Sequence, residues 1–151
     1  MNWYPKVSAD ISQLPHAIIY YEQELLNAKT ECIIQGNIEK IAAAMPGTVE
    51  HRYNQLQEIE AILELLNIEL RKLKSFYFRK YLESYQKILT QKECDKYVDG
   101  EVEVANFEMV VNDFALIRNK WLGITKALEQ KQWQLSNIVR LRVAGMEDAS
   151  I

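Results

Sequence analysis

Arg71, Lys72, Lys74, Phe78, Arg79, Lys80 and Tyr81 fall within eleven consecutive residues that contain no acid. Cations at that density neutralise phosphates, and aromatic rings among them can stack on unpaired bases, which is how single-stranded nucleic acid is held without reading its sequence. Arg71, Lys74, Phe78, Tyr81 and Tyr85 recur at intervals of three and four, so on a helix they form one stripe, with Lys72, Arg79 and Lys80 beside it. The same spacing also suits packing, with Tyr81 and Tyr85 continuing a hydrophobic seam and Phe78 lying against another helix. In that case the basic residues still surround a buried aromatic cluster. A second basic set lies further on. Lys120, Lys131 and Arg142 are each eleven residues apart, close to three full turns, so they share one face of a helix, widened by Arg118, Lys126 and Arg140. A solvated charged face is the plainer meaning of that spacing.

Catalytic or metal chemistry has fewer candidates. Cys32, Cys94, His16 and His51 are the whole complement of Cys and His, too few for a disulfide framework or a structural zinc site. Cys32 lies on an apolar stripe and reads as a small core residue. Glu60 and Glu64 pair on a helix face, the usual pattern of a solvated surface. The sequence has no phosphate-cradling glycine loop, nucleophile elbow or HExxH. No enzyme, metal or cofactor is expected.

Those candidate residues need long helices to carry them. The chain has 151 residues, 5 Gly and 3 Pro, enough for one domain (1–151) and too few turn formers for a β architecture. No apolar run is long enough to span a bilayer, and the start lacks a basic segment followed by an apolar one, so a cytosolic protein without membrane contact is expected. The apolar pattern predicts helices over about 14–45, 48–89, 91–97 and 101–144. Leu14, Ile18, Tyr21, Leu25, Ala28 and Cys32 form the stripe of the first, with Gly36 as a bend and Met45-Pro46-Gly47 as its end. Thr48 is the expected cap of the second. Thr90 and Glu93 have capping-box spacing ahead of the short helix, and Gly145 is placed to close the last.

The two long helices carry seams of period 3.5, the repeat of a left-handed supercoil. Leu56, Ile59, Leu63, Leu66, Leu70, Leu73 and Tyr77 make one, continued after a four-residue stutter by Tyr81, Tyr85 and Ile88. Phe107, Val110, Phe114, Ile117, Trp121, Ile124, Leu128, Leu135 and Ile138 make the other. At about 60 Å each, these helices require an elongated molecule. Ile62, Leu65, Phe76, Val111 and Leu122 widen the apolar faces beyond what one antiparallel neighbour covers. The expected fold is therefore all-α: long antiparallel heptad-bearing helices in a helical homo-oligomer. Leu56, Ile59, Leu63, Leu66, Leu70, Phe114, Ile117, Trp121, Ile124, Leu128, Leu135 and Ile138 are the expected oligomerisation residues.

The net charge of -3 conceals a segregation. Nine acids against three bases lie between Glu22 and Glu69, whereas Arg118 to Arg142 holds six bases and only Glu129. Such blocks attract a polyanion or face each other on adjacent helices.

The C-terminal half resembles a known family. Lys96-Tyr97-Val98-Asp99-Gly100-Glu101, Ile117-Arg118-Asn119-Lys120-Trp121-Leu122-Gly123-Ile124, and Trp133-Gln134-Leu135-Ser136-Asn137-Ile138-Val139-Arg140 closing in Ala144-Gly145 are similar to phage recombination mediators of the UvsY type, over roughly residues 70 to 145. The resemblance implies a helical, ring-forming accessory factor in the host bacterial cytoplasm. It would bind single-stranded DNA and help load a RecA-like recombinase onto DNA occupied by a single-strand-binding protein. Carried onto this chain, it makes Lys72, Lys74, Arg79 and Lys80 phosphate contacts and Phe78 and Tyr81 stacking groups, followed by Lys120, Lys131, Arg140 and Arg142. The stretch from Leu14 to Met45 and the long leucine seam are more extended than the family pattern, which leaves ring size and closure open. The alternative is a coiled-coil adaptor or inhibitor of a host protein, without DNA binding, whose seams receive a foreign helix.

Overall fold

The computed structural model describes residues 2–84 and 88–146, and every regular element among them is helical. The order is α1 (Tyr4–Ala9), a 3-10 turn (Ile11–Gln13), α2 (Leu14–Glu31), α3 (Ile38–Ser84), α4 (Gln91–Asp99) and α5 (Val102–Val143). With 47 and 42 residues, α3 and α5 are about 70 and 63 Å long. No helix among the described residues is long and apolar enough to cross a membrane.

The first break in the chain differs from expectation. The helix expected over 14–45 ends at Glu31, and the one expected over 48–89 begins at Ile38 and runs to Ser84 within the described residues. The turn needs a residue in the left-handed region, and Gly36 supplies it at φ 90°. Asn37 then caps α3, its Oδ1 accepting the Lys40 N–H at 3.0 Å. Pro46 sits inside α3 instead of ending it. A proline there removes one backbone bond and costs about 3 kcal/mol. The residues ahead of it offset that cost: Ile38, Ile41 and Met45 pack against the core, with Met45 beside Leu135 near the end of α5.

The remaining boundaries fall close to where the sequence places them. Thr90 and Glu93 form the reciprocal capping box of α4. At the end of α5, Gly145 at φ 72° and the Met146 N–H bonded to the Leu141 carbonyl at 2.8 Å make a Schellman cap.

α3 and α5 lie side by side in opposite directions. Met45 and Leu135 meet at one end, and Lys74 Nζ lies 2.7 Å from Glu108 at the other. α2 lays its stripe on both: Leu14, Ala17, Tyr21, Leu25 and Ala28 are buried, with the Tyr21 ring edge-on to Trp121 at 6.4 Å. Its polar flank is tied down as well. Arg52, buried on α3, pairs with Glu24 at 2.7 Å and Glu31 at 2.6 Å, and its guanidinium lies 5.8 Å from the Trp121 ring.

This packing corrects the expected use of the seams. Leu56, Ile59, Leu63, Leu66, Phe114, Ile117, Trp121, Ile124, Leu128 and Leu135 are buried inside the single chain, and Leu70 and Ile138 are half-buried. The ten buried ones build the core of the single chain. The physical reason is α2, which supplies in cis the third ridge that the widened faces require. Ile62 and Val111 are buried with them, and each aliphatic side chain so covered contributes about 1.5–3 kcal/mol. A smaller cluster of Tyr77, Val98 and Val104, flanked by Phe78 and Tyr81, joins the end of α3 to α4 and the start of α5. The stutter is visible there, with Lys80 and Ser84 exposed and Tyr81 turned inward. Tyr85 lies outside the described residues, and Ile88, beyond α3, is fully exposed rather than part of a seam.

Candidate nucleic-acid interface

Among the described residues, the last third of α3 is covered on one side. α4 and the start of α5 cover Tyr77 and half-cover Phe78. The opposite side carries Ile68, Arg71, Lys72, Phe76, Arg79, Lys80 and Glu83, which line a shallow, open groove between side chains of this one helix. Lys72, Phe76, Lys80 and Glu83 recur at three and four and therefore stand one above another.

Phe76 is the unusual member, because a large apolar ring at 62 % exposure stands among four cations. Its ring lies edge-on to that of Tyr77, centroids 5.3 Å apart. The cations around it are weakly committed. Arg71 reaches Glu64 at 3.3 Å and Lys72 reaches Glu69 at 3.2 Å, both in solvent, where such pairs contribute at most about 1 kcal/mol. Lys80 Nζ lies 5.6 Å from the Tyr77 ring, and Arg79 is exposed with no ion pair among the described residues. A phosphate can take these cations without breaking anything the fold depends on.

Other expected contacts are already occupied. Lys74 lies 2.7 Å from Glu108 and 3.6 Å from Asp99, and the hydrogen bond to Glu108, more than any other influence, holds its ammonium above the usual lysine range. Tyr81 stacks on Tyr97 at 5.3 Å and donates its hydroxyl to Glu101. Phe78 packs on the Tyr77, Val98 and Val104 cluster. The stripe of Arg71, Lys74, Phe78 and Tyr81 therefore mostly faces protein, so Phe78 and Tyr81 are packed rather than open to a ligand, and the exposed ring of this stretch is Phe76. The spacing of Lys72, Phe76 and Lys80 was the available signal. It was obscured because Phe76 adjoins the seam residue Tyr77 and reads as an extension of it.

The second basic set does not form a track. Lys131 is buried, its Nζ donating at 2.5 Å to the Glu31 carbonyl at the end of α2. Terminal carbonyls of a helix have no partner within it, and a cation there satisfies one of them. Lys120, Arg140 and Arg142 are exposed, but Lys120 and Arg142 are about 33 Å apart along α5 with Lys131 withdrawn between them.

Elsewhere the polar groups are structural. Glu58 accepts from the Tyr21 hydroxyl and the Trp3 amide. Cys32 is half-buried, its Sγ donating to the Ala28 carbonyl at 3.4 Å, and burial raises its thiol pKa. Among the described residues no group of three His, Cys, Asp or Glu is placed to hold a metal ion. Comparison with known protein families, curated proteins and solved structures returned no match to this chain.

Proposed function

We propose that this protein is a non-enzymatic factor that binds single-stranded DNA on the open face of α3 and acts as a mediator of recombination. The observation that carries the DNA reading is Phe76, exposed within a ring of Arg71, Lys72, Arg79 and Lys80. An exposed aromatic in a basic groove suits a strand whose bases are unstacked, since duplex bases offer no free ring faces. Delivery to a RecA-like recombinase, displacement of a single-strand-binding protein, assembly as a homo-oligomer and residence in a phage-infected bacterial cytoplasm rest on the resemblance of the C-terminal half to UvsY-type mediators.

The test is fluorescence anisotropy of a labelled single-stranded oligonucleotide at low salt. Saturable binding is expected, with Phe76→Ala weakening it by about 5- to 150-fold, the range for loss of one stacked base. Phe76 is exposed, so the variant keeps its melting temperature. No saturable binding, or full affinity after the double charge reversal Arg79→Glu/Lys80→Glu, rejects the proposal and returns the adaptor reading. The mediator role is tested separately, by whether the protein speeds recombinase filament growth on strands coated with a single-strand-binding protein.

A further inference from the structure

α5 carries a second apolar line that the core does not use. Val102 is 71 % exposed, Met109 64 % and Leu116 54 %, at intervals of seven, and Gly123 is next in the same register. Seven residues return a helix to within about 20° of the starting direction, so these four share one strip. Phe114, Trp121 and Leu128, which face α2 and α3, lie on the other side.

Gly123 is unexplained by the single chain. A glycine inside a helix weakens it, yet a Cβ built here meets nothing within 4 Å. The missing side chain becomes useful only if another surface comes close. The charges along α5 indicate which surface. Glu101 and Glu108 are held by Tyr81 and Lys74 of the same chain, but Asp113, before Leu116, and Lys120, after it, stand exposed beside the strip. A parallel copy in register would set like charge on like. An antiparallel copy sets the Asp113 of each helix along the Lys120 of the other.

We propose that α5 pairs with α5 of a second copy, antiparallel about a two-fold axis at Leu116. That axis puts Leu116 against its own counterpart and Met109 over the second copy's Gly123, where the absent Cβ makes room. Asp113 then lies beside Lys120 on one flank, and Asn112 beside Asn119 on the other, each contact occurring twice. All four flanking residues are exposed in the single chain. Sliding the pair by one heptad brings Met109 onto Leu116 but sets Asp113 beside the second copy's Asp113 and Lys120 beside its Asn106, so charge selects the first register. The paired strips span about 42 Å from one Val102 to the other and about 10 Å in width, burying roughly 800 Å² in all, which is the size of a weak, reversible contact. This pairing is independent of the DNA reading and leaves both Phe76 faces open.

Sedimentation equilibrium of the full chain without nucleic acid, from micromolar to sub-millimolar concentration, tests the proposal. A reversible monomer–dimer equilibrium is expected. Leu116→Glu, which sets two carboxylates together on the axis, should raise the dissociation constant about tenfold or more with the melting temperature unchanged. Gly123→Ala should weaken the dimer while melting no lower. Asp113→Lys and Lys120→Asp should each weaken it, and D113K/K120D should recover it, because the two residues are two turns apart on one helix and meet only across the axis. A monomer throughout, or a dimer indifferent to Leu116→Glu, overturns the surface. A double variant no better than either single variant overturns the register.

Discussion

The number of cations free to meet phosphate can be counted from the structure, and the count fixes how steeply affinity must depend on salt. Arg71, Lys72, Arg79 and Lys80 line the Phe76 groove, whereas Lys74 is spent on Glu108 and Asp99. Each phosphate neutralised on a single strand adds about 0.7 to the slope of log affinity against log salt, so four give a slope of about -2.8. A rise from about 50 to 200 mM salt then weakens binding about 50-fold. Removing two of the four with Arg79→Ala/Lys80→Ala halves the slope to about -1.4, and the same rise costs only about sevenfold. Lys74→Ala should leave the slope at its parental value, whereas Arg79→Ala, which removes the same single charge, should lower it to about -2.1. The assay is an anisotropy titration of a short labelled oligonucleotide at several salt concentrations, with protein dilute enough to stay monomeric. A Lys74→Ala slope that falls as far as that of Arg79→Ala, or a double variant with an unchanged slope, refutes the placement of the face.

Three further predictions concern the scaffold. Arg52 is buried against Glu24, Glu31 and Gln55, so Arg52→Met should lower unfolding free energy in urea by about 2–3 kcal/mol, less than for a fully buried pair because both carboxylates keep some solvent; an unchanged midpoint would show that the network contributes nothing. The Glu24 pKa lies below its ordinary value through the Gln55 hydrogen bond and then the Arg52 guanidinium, so its contribution is present above about pH 4.5 and lost as pH falls through the lowered folded value, and Glu24→Gln should flatten the acid limb of a melting-temperature profile. Pro46→Ala should stabilise the protein by about 1–3 kcal/mol, since it restores an N–H within a continuous α3; destabilisation in denaturant titrations would mean that the chain turns at Pro46 after all.

The periodicity of apolar residues carried most of the fold. Period 3.5 along Leu56 to Tyr77 and Phe107 to Ile138 marks inward positions correctly, and the capping box at Thr90 and the glycine at 145 mark their ends. Local signals were insufficient at two points. Met45-Pro46-Gly47 is a strong stop in isolation, and only the burial of Met45 against α5, a contact some 90 residues away in sequence, overrides it. The weaker Gly36-Asn37 pair became the true break because both residues are exposed, Gly36 adopts the left-handed conformation and Asn37 caps the helix that follows. The partner of the seams was illegible for a related reason. An apolar ridge shows that something covers it, but period and width are the same whether the cover is α2 of the same chain or a helix of another.

The same reasoning governs the charged residues. A lysine on a helix points in a direction fixed by its register, but whether that direction meets solvent depends on which helix crosses there. Lys131 and Lys120 are eleven residues apart and share a face, yet the end of α2 sits over one and leaves the other exposed. Lys74 and Lys72 are two residues apart and so point about 160° from each other, one toward Glu108 and one into the groove. A basic run in the sequence therefore overcounts the cations a ligand can reach, because a fold that packs acid-rich and base-rich helices together consumes some of them internally. On the α3 face left over, an apolar ring also failed to find cover. At Phe76 the two kinds of surplus coincide: charge without a committed partner, and an aromatic surface without a neighbour. A ligand that is both anionic and aromatic satisfies both at once, and an unpaired nucleic-acid strand has that chemistry at every residue.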